Sequence, residues 1–297
     1  MAEARAQDIL DDEFMSKIEQ LRLVSRKVIV GRIRGERLTR KRGQSIEFAD
    51  YRPYTVGDDL RFLDWNLYAR LDRLFLKLFL EEEDLHVYLL LDTSGSMGYG
   101  EPSKLDYARR VAAALAYIAI CNYDRVVVTA FGPERQQTLG PIRGKRQVLR
   151  MLQFLAEQKP DGVTSLEPAC KRFAVKHRRP GVVILLSDFL DKEGYESALR
   201  YFIAANQDVF ILHTLAGEEL DPPFTGDLKL VDVEDEDDTE VTISKPLIKA
   251  YKETVNQFVG ELRQFAGRRG MSYLLAPTTM PFDTLVLKYL RRRGLVE

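Results

Sequence analysis

The sequence predicts an α/β protein built on a doubly wound, mostly parallel sheet, and three observations carry that reading. From residue 85 onward, short aliphatic or β-branched runs alternate with amphipathic stretches, the pattern of successive βα units. The runs are continuously apolar, as strands covered on both faces must be. The 297 residues, 45% apolar and 30% charged, suffice to bury a substantial core, which excludes wholesale disorder.

In chain order, a first helix places Leu10, Phe14, Ile18 and Leu21 on one face. A basic stretch over residues 22–42 follows, then an aromatic and charged segment over 48–70 and a strand over 74–80. Strands are expected at 85–91, 125–131, 182–187, 209–215 and 271–275. The helix over 104–122 is apolar on nearly every side after Val111, as a helix wedged deep against a sheet should be. Residues 228–244 read as a rim hairpin with an acidic tip at 235–238. The last helix gathers Phe282, Leu285, Val286, Tyr289 and Leu290 on one face and ends in Arg291–Arg293, cations where the helix dipole favours them. The expected organisation is an N-terminal segment, residues 1–84, packed on a main domain, residues 85–297.

Charge and cysteine content narrow the classes. Lys and Arg number 44 against 45 Asp and Glu, so no global field draws the chain to nucleic acid or a membrane surface. The basic stretch at 22–42 could grip phosphates, but it lacks interleaved aromatics and a nucleic-acid module, so nucleic acid is not the expected partner. Cys121 and Cys170 lie far apart in apolar or helical stretches, which points to buried hydrophobes and not to a disulfide or zinc site. The longest apolar run, residues 111–121, is too short to span a bilayer, and the charged N-terminus does not read as a cleavable signal. The expected location is the reducing cytoplasm.

Chemistry concentrates where the strand Leu89-Leu90-Leu91 runs into Asp92-Thr93-Ser94-Gly95-Ser96-Met97. Asp92, Ser94 and Ser96 fall at the carboxyl end of a central parallel strand, the edge where open α/β sheets place their ligands. Two more loops arrive at that edge: Asp161-Gly162-Val163-Thr164-Ser165 before a helix, and Ser187-Asp188 after a strand. An all-oxygen set of hydroxyls and carboxylates suits a hard divalent cation, best Mg²⁺. The three histidines are scattered; His86, in an apolar strand, is expected to be a hydrogen-bonded core residue.

The string Asp-x-Ser-x-Ser, with Thr164 on a second loop and Asp188 on a third, resembles the von Willebrand factor A-like fold and its metal-ion-dependent adhesion site. The resemblance implies that Ser94, Ser96 and Thr164 bind Mg²⁺ or Mn²⁺ directly, that Asp92 and Asp188 hold its waters, and that a partner's acidic residue completes the coordination. Val163 departs from the Gly-Gly-Thr more usual in the second loop. Upstream, Glu47-Phe48, Arg52-Pro53-Tyr54, Gly57-Asp58-Asp59, Arg61, Asp64-Trp65, Ala69-Arg70 and Glu81–Glu83 resemble the bacterial domain-of-unknown-function family 58. That resemblance implies an association with MoxR-type AAA+ ATPases and a non-enzymatic adaptor role in assembling or activating client proteins. The upstream segment reads either as a packed polar seam or as a partner-contacting face.

Two other readings stay open. A Mg²⁺-dependent phosphotransferase or phosphatase would use Asp92 as nucleophile, but Ser94 stands where haloacid-dehalogenase-like enzymes carry a second Asp. No phosphate-cradling P-loop or nucleophile elbow accompanies it. A purely structural A-type domain would keep the site without using it for binding.

Overall fold

The structure, a computed structural model, describes residues 9–19, 21, 23, 47–80, 85–132, 136–163, 165–223, 226–231, 238–292 and 294–296. The chain divides into two compact units, Met1–Arg32 with Leu85–Glu297 and, separately, Ile33–Asp84. The first helix, α1 (Asp12–Ile18), therefore belongs to the larger unit, and the smaller one begins at residue 33 instead of residue 1. The reason is burial: Leu10, Phe14 and Ile18 lie in the larger unit's core, and Asn122 Nδ2 donates to the Leu21 carbonyl at 2.6 Å. Most of the basic stretch, 22 and 24–42, and the hairpin tip at 232–237 lie outside the described residues.

In the smaller unit, β1 (Glu47–Pro53) pairs antiparallel with β2 (Phe75–Leu80). Between them lies α2 (Trp65–Leu71), capped by Asp64, whose carboxylate accepts the Asn66 and Leu67 amides and pairs with Lys77 at 3.2 Å. Arg52 pairs with Asp58 at 2.9 Å and Arg61 with Asp59 at 2.6 Å. Arg52, Asp58, Asp59, Arg61 and Asp64 thus pair within the unit itself.

The larger unit is built on β3 (His86–Asp92), β4 (Arg125–Phe131), β5 (Gln136–Ile142), β6 (Val182–Ser187), β7 (Asp208–Leu215) and β10 (Ser272–Pro277). Their order is β10-β7-β6-β3-β4-β5, parallel except for β5, which runs antiparallel to β4 at the edge. The chain steps outward from β3 through β4 to β5, then returns to the other side of β3 as β6. The switch point therefore falls between β3 and β6. A separate hairpin, β8 (Gly226–Val231) with β9 (Asp238–Ile243), stands where one was expected.

Alternate strand residues feed opposite cores, as a pleated sheet dictates. Val87, Leu89 and Leu91 face a core with α1, α3 (Lys104–Cys121), α4 (Val148–Ala156) and the C-terminal helical turns α9 (Phe282–Leu290). Tyr88 and Leu90 face a second core with α5 (Leu166–Lys176), α6 (Glu196–Ala204) and α8 (Lys245–Arg268). Every residue of α3 from Val111 to Ile120 is buried, which explains its apolar circumference. Leu285, Val286 and Leu290 are fully buried, while Arg291 and Arg292 are exposed. Cys170 is buried and Cys121 partly so, both as free thiols.

Candidate functional site

Asp92 closes β3 and Ser187 closes β6, so the switch point brings Asp92, Ser187 and Asp188 to one edge. Asp92 is 1% exposed and its oxygens accept two hydrogen bonds, one from the Ser94 amide at 3.0 Å and one from the Ser187 hydroxyl at 2.6 Å. That turn brings the Ser94 and Ser96 hydroxyls 3.2 Å apart. The second loop is stitched to the first by backbone bonds, Asp161 amide to Thr93 carbonyl at 2.8 Å and Gly95 amide to Gly162 carbonyl at 2.7 Å. Gly162 has φ +65°, a left-handed conformation that favours glycine. The third loop joins the second through the Leu166 amide, which donates to Asp191 at 2.8 Å. Directly after Asp188, Phe189 is also left-handed at φ +59° while its side chain is buried against Tyr195 and His213.

The structure thus brings Asp92, Ser94, Ser96 and Asp188 to the joined ends of these loops, whereas Thr164 lies outside the described residues. Ser94 and Asp188 are 0% exposed and Ser96 is partly accessible.

A fourth participant was not anticipated. Lys104, 0% exposed, extends from the first turn of α3 to Asp188 Oδ2 at 2.7 Å and Glu219 Oε1 at 2.6 Å. Glu219 lies on the short helix α7 (Gly217–Leu220), and its other oxygen accepts the Ala216 amide at 2.7 Å. Burial pulls the Lys104 ammonium's pKa down, but Asp188 and Glu219 outweigh that and hold it above the ordinary lysine value. The sequence did carry a signal. Ser103 caps α3, accepting the Asp106 amide and donating to its carboxylate, so Lys104 sits where the helix dipole disfavours a cation. A lysine there, leading an apolar helix, needs an acidic partner.

Burial and the charge of Asp188 push the Asp92 carboxyl up to about 7. Among the described residues Lys104 pairs with Asp188 and Glu219 and not with Asp92, so a cation beside Asp92 would offset the cost of its buried charge. Among the described residues no three Cys, His, Asp or Glu side chains cluster in a way that would hold a metal, so a cation here would depend on the hydroxyls. Ser94 and Ser96 supply such oxygens and Asp92 and Asp188 the charge behind them, a donor set that fits a hard ion. Of the histidines, His86 and His177 are not among its partners, whereas His213 lies beside Ser187 and Asp188. His213 is buried, bonds Tyr273 at 2.8 Å, and is lowered to about 4 chiefly by burial. His86 stacks on Tyr88, partly buried, and His177 packs on Tyr88 and Phe173.

A family model described as Protein of unknown function DUF58 matches residues 50–258. The chain belongs to the DUF58 family. Uncharacterized proteins of Mycobacterium tuberculosis and Mycobacterium bovis are 27% identical to it over 232 residues, covering 76% of this chain and 73% of theirs. Among solved structures, BatB from Bacteroides thetaiotaomicron aligns at TM-score 0.44 and 16% identity over 70% of this chain and 98% of its own. An aerotolerance-related membrane protein from Bacteroides fragilis gives 0.43 and 18%, also over 70% and 98%. Manganese-loaded TRAP from Plasmodium vivax gives 0.38 and 17% over 72% and 75%. Strand order and direction define the DUF58 chain's fold independently of those likenesses. Counted within the main sheet from β3, the order is 3-2-1-4-5-6 with the edge strand antiparallel, a von Willebrand factor A-like α/β fold. No helix among the described residues is long and apolar enough to cross a membrane.

Proposed function

We propose that this DUF58 protein is a non-enzymatic, metal-dependent protein-binding adaptor. Ser94, Ser96 and Thr164 would hold Mg²⁺ or Mn²⁺, with Asp92 and Asp188 behind them orienting hydroxyls and water. Bound there, the ion would supply an electrophilic place for a partner's Asp or Glu, because hydroxyl ligands are neutral and leave its charge largely unspent. The observation that carries the reading is the stitched edge itself: Asp92 and Asp188 on adjacent strand ends, with the paired serine hydroxyls beside them. The family resemblance supplies the partner class, a MoxR-type AAA+ ATPase with its client.

The arrangement of Asp92 supports binding over phosphoryl transfer. Its carboxylate is 1% exposed and held by the Ser94 amide and the Ser187 hydroxyl, whereas a nucleophile must be reachable by the incoming phosphorus. Isothermal titration tests the proposal. Mg²⁺ or Mn²⁺ is expected to bind, and binding of the cognate ATPase or client to require it. Asp92→Ala and Ser96→Ala are expected to weaken both by at least about tenfold, the worth of one charge-assisted contact. Partner affinity unchanged in excess chelator would favour a purely structural domain, and phosphate released from a phosphoester panel would favour an enzyme.

A further inference from the structure

Lys104 is placed where helix formation alone would not put a cation, yet it is fully buried and doubly paired. Its ammonium contacts Asp188 on the third loop and Glu219 on α7, so one side chain ties the candidate metal edge to the end of β7. Among the described residues no other ion pair reaches Asp188 or Glu219. An ammonium in that position does two things at once. It compensates carboxylates that burial would otherwise make costly, and it repels a second cation entering the same cleft.

We infer that Lys104 is the resident counter-cation of the cleft, holding Asp188 and Glu219 in place without a divalent ion and setting how weakly that ion binds. The inference rests on the proposed metal site and deepens it. Lys104 is a positioning residue, acting on the ion through Asp188 and through its own charge.

The two partners of the ammonium predict changes of opposite sign. Replacing Lys104 by Met removes the repelling charge and leaves the carboxylates unpaired, so the divalent ion becomes the only compensation available. Replacing Glu219 by Gln removes a carboxylate and leaves the Lys104 charge concentrated on Asp188, so the ion meets more repulsion. Because the Glu219 side chain is 17% exposed, that substitution is the milder one. A purely structural role for Lys104 would instead weaken ion binding in both variants by loosening the third loop.

The test is calorimetric titration of the full chain with Mg²⁺ and with Mn²⁺ alone, paired with melting curves in EDTA and in excess ion. K104M is expected to melt lower in EDTA, to bind the ion at least about tenfold tighter, and to show a larger ion-induced rise in melting temperature than the parent. E219Q is expected to keep its fold and bind the ion about threefold or more weaker. Equal or weaker binding by K104M, with the parent still binding, would overturn the role of Lys104 while sparing the metal site. Should K104M fail to fold in either medium, E219Q decides: weaker binding with an unchanged melting temperature in EDTA supports the inference, whereas weaker binding with a lowered melting temperature, or unchanged or tighter binding, overturns it. A parent chain that binds neither ion overturns the site and this inference together.

Discussion

Asp92 accepts two inward hydrogen bonds at the end of β3, and the same burial that makes those bonds strong makes its charge expensive. Ser96, four residues later and partly accessible, shares a hydrogen bond with the Ser94 hydroxyl. A histidine remote from this edge offers a separate check on the packing. His177 ends α5 against Phe173 and Tyr88, and burial, aided by the Lys176 charge, holds its pKa below the ordinary 6.5. A lowered base pKa means the unfolded chain takes up the proton first as pH falls. Stability from this group is therefore complete above 6.5 and is lost as pH drops through 6.5 toward the folded value. His177→Phe is expected to flatten that part of the stability profile, measured by denaturant unfolding between pH 7 and pH 5. Parallel profiles for parent and variant would refute the assignment.

Strands and helices were legible to different degrees. The five parallel strands announce themselves because both faces are covered, so nearly every residue must be apolar, as in the fully buried run of β6. The antiparallel edge strand β5, Gln-Gln-Thr-Leu-Gly-Pro-Ile, was missed because an edge needs few apolar residues and tolerates proline. β1 escaped for a related reason, being charged and bulged between Phe48 and Asp50. Close strand approach also fixes one position that composition alone would pass over. A Cβ on Gly181, just ahead of β6, would lie 2.3 Å from the His86 carbonyl oxygen of β3. Gly181→Ala is expected to lower unfolding free energy by about 1–3 kcal/mol, the usual range for overpacking, in urea denaturation. A loss below about 0.5 kcal/mol, within the range of ordinary surface substitutions, would show that the strand start yields.

Across the whole molecule, a formal charge of −1 conceals a local concentration of acid at one edge of the sheet. Any ion bound there stabilises the larger unit by mass action, about 2.7 kcal/mol at a hundredfold excess over its Kd. The melting temperature of the full chain is expected to rise in Mg²⁺ or Mn²⁺ and to fall back in EDTA. Identical curves in all three media, at millimolar ion, would count against the site. The sequence by itself determined the α/β class, the two-faced sheet and the strand ends at Asp92 and Ser187 that share its carboxyl edge, because apolar runs and short oxygen-bearing turns are local patterns. Only tertiary structure decided that α1 joins the larger unit, that Gly162 ties the second loop to the first, and that Lys104 reaches Asp188 from 84 residues away. Those outcomes depend on which chain segments become neighbours, and the energy of a buried charge is set by neighbours that no local pattern names.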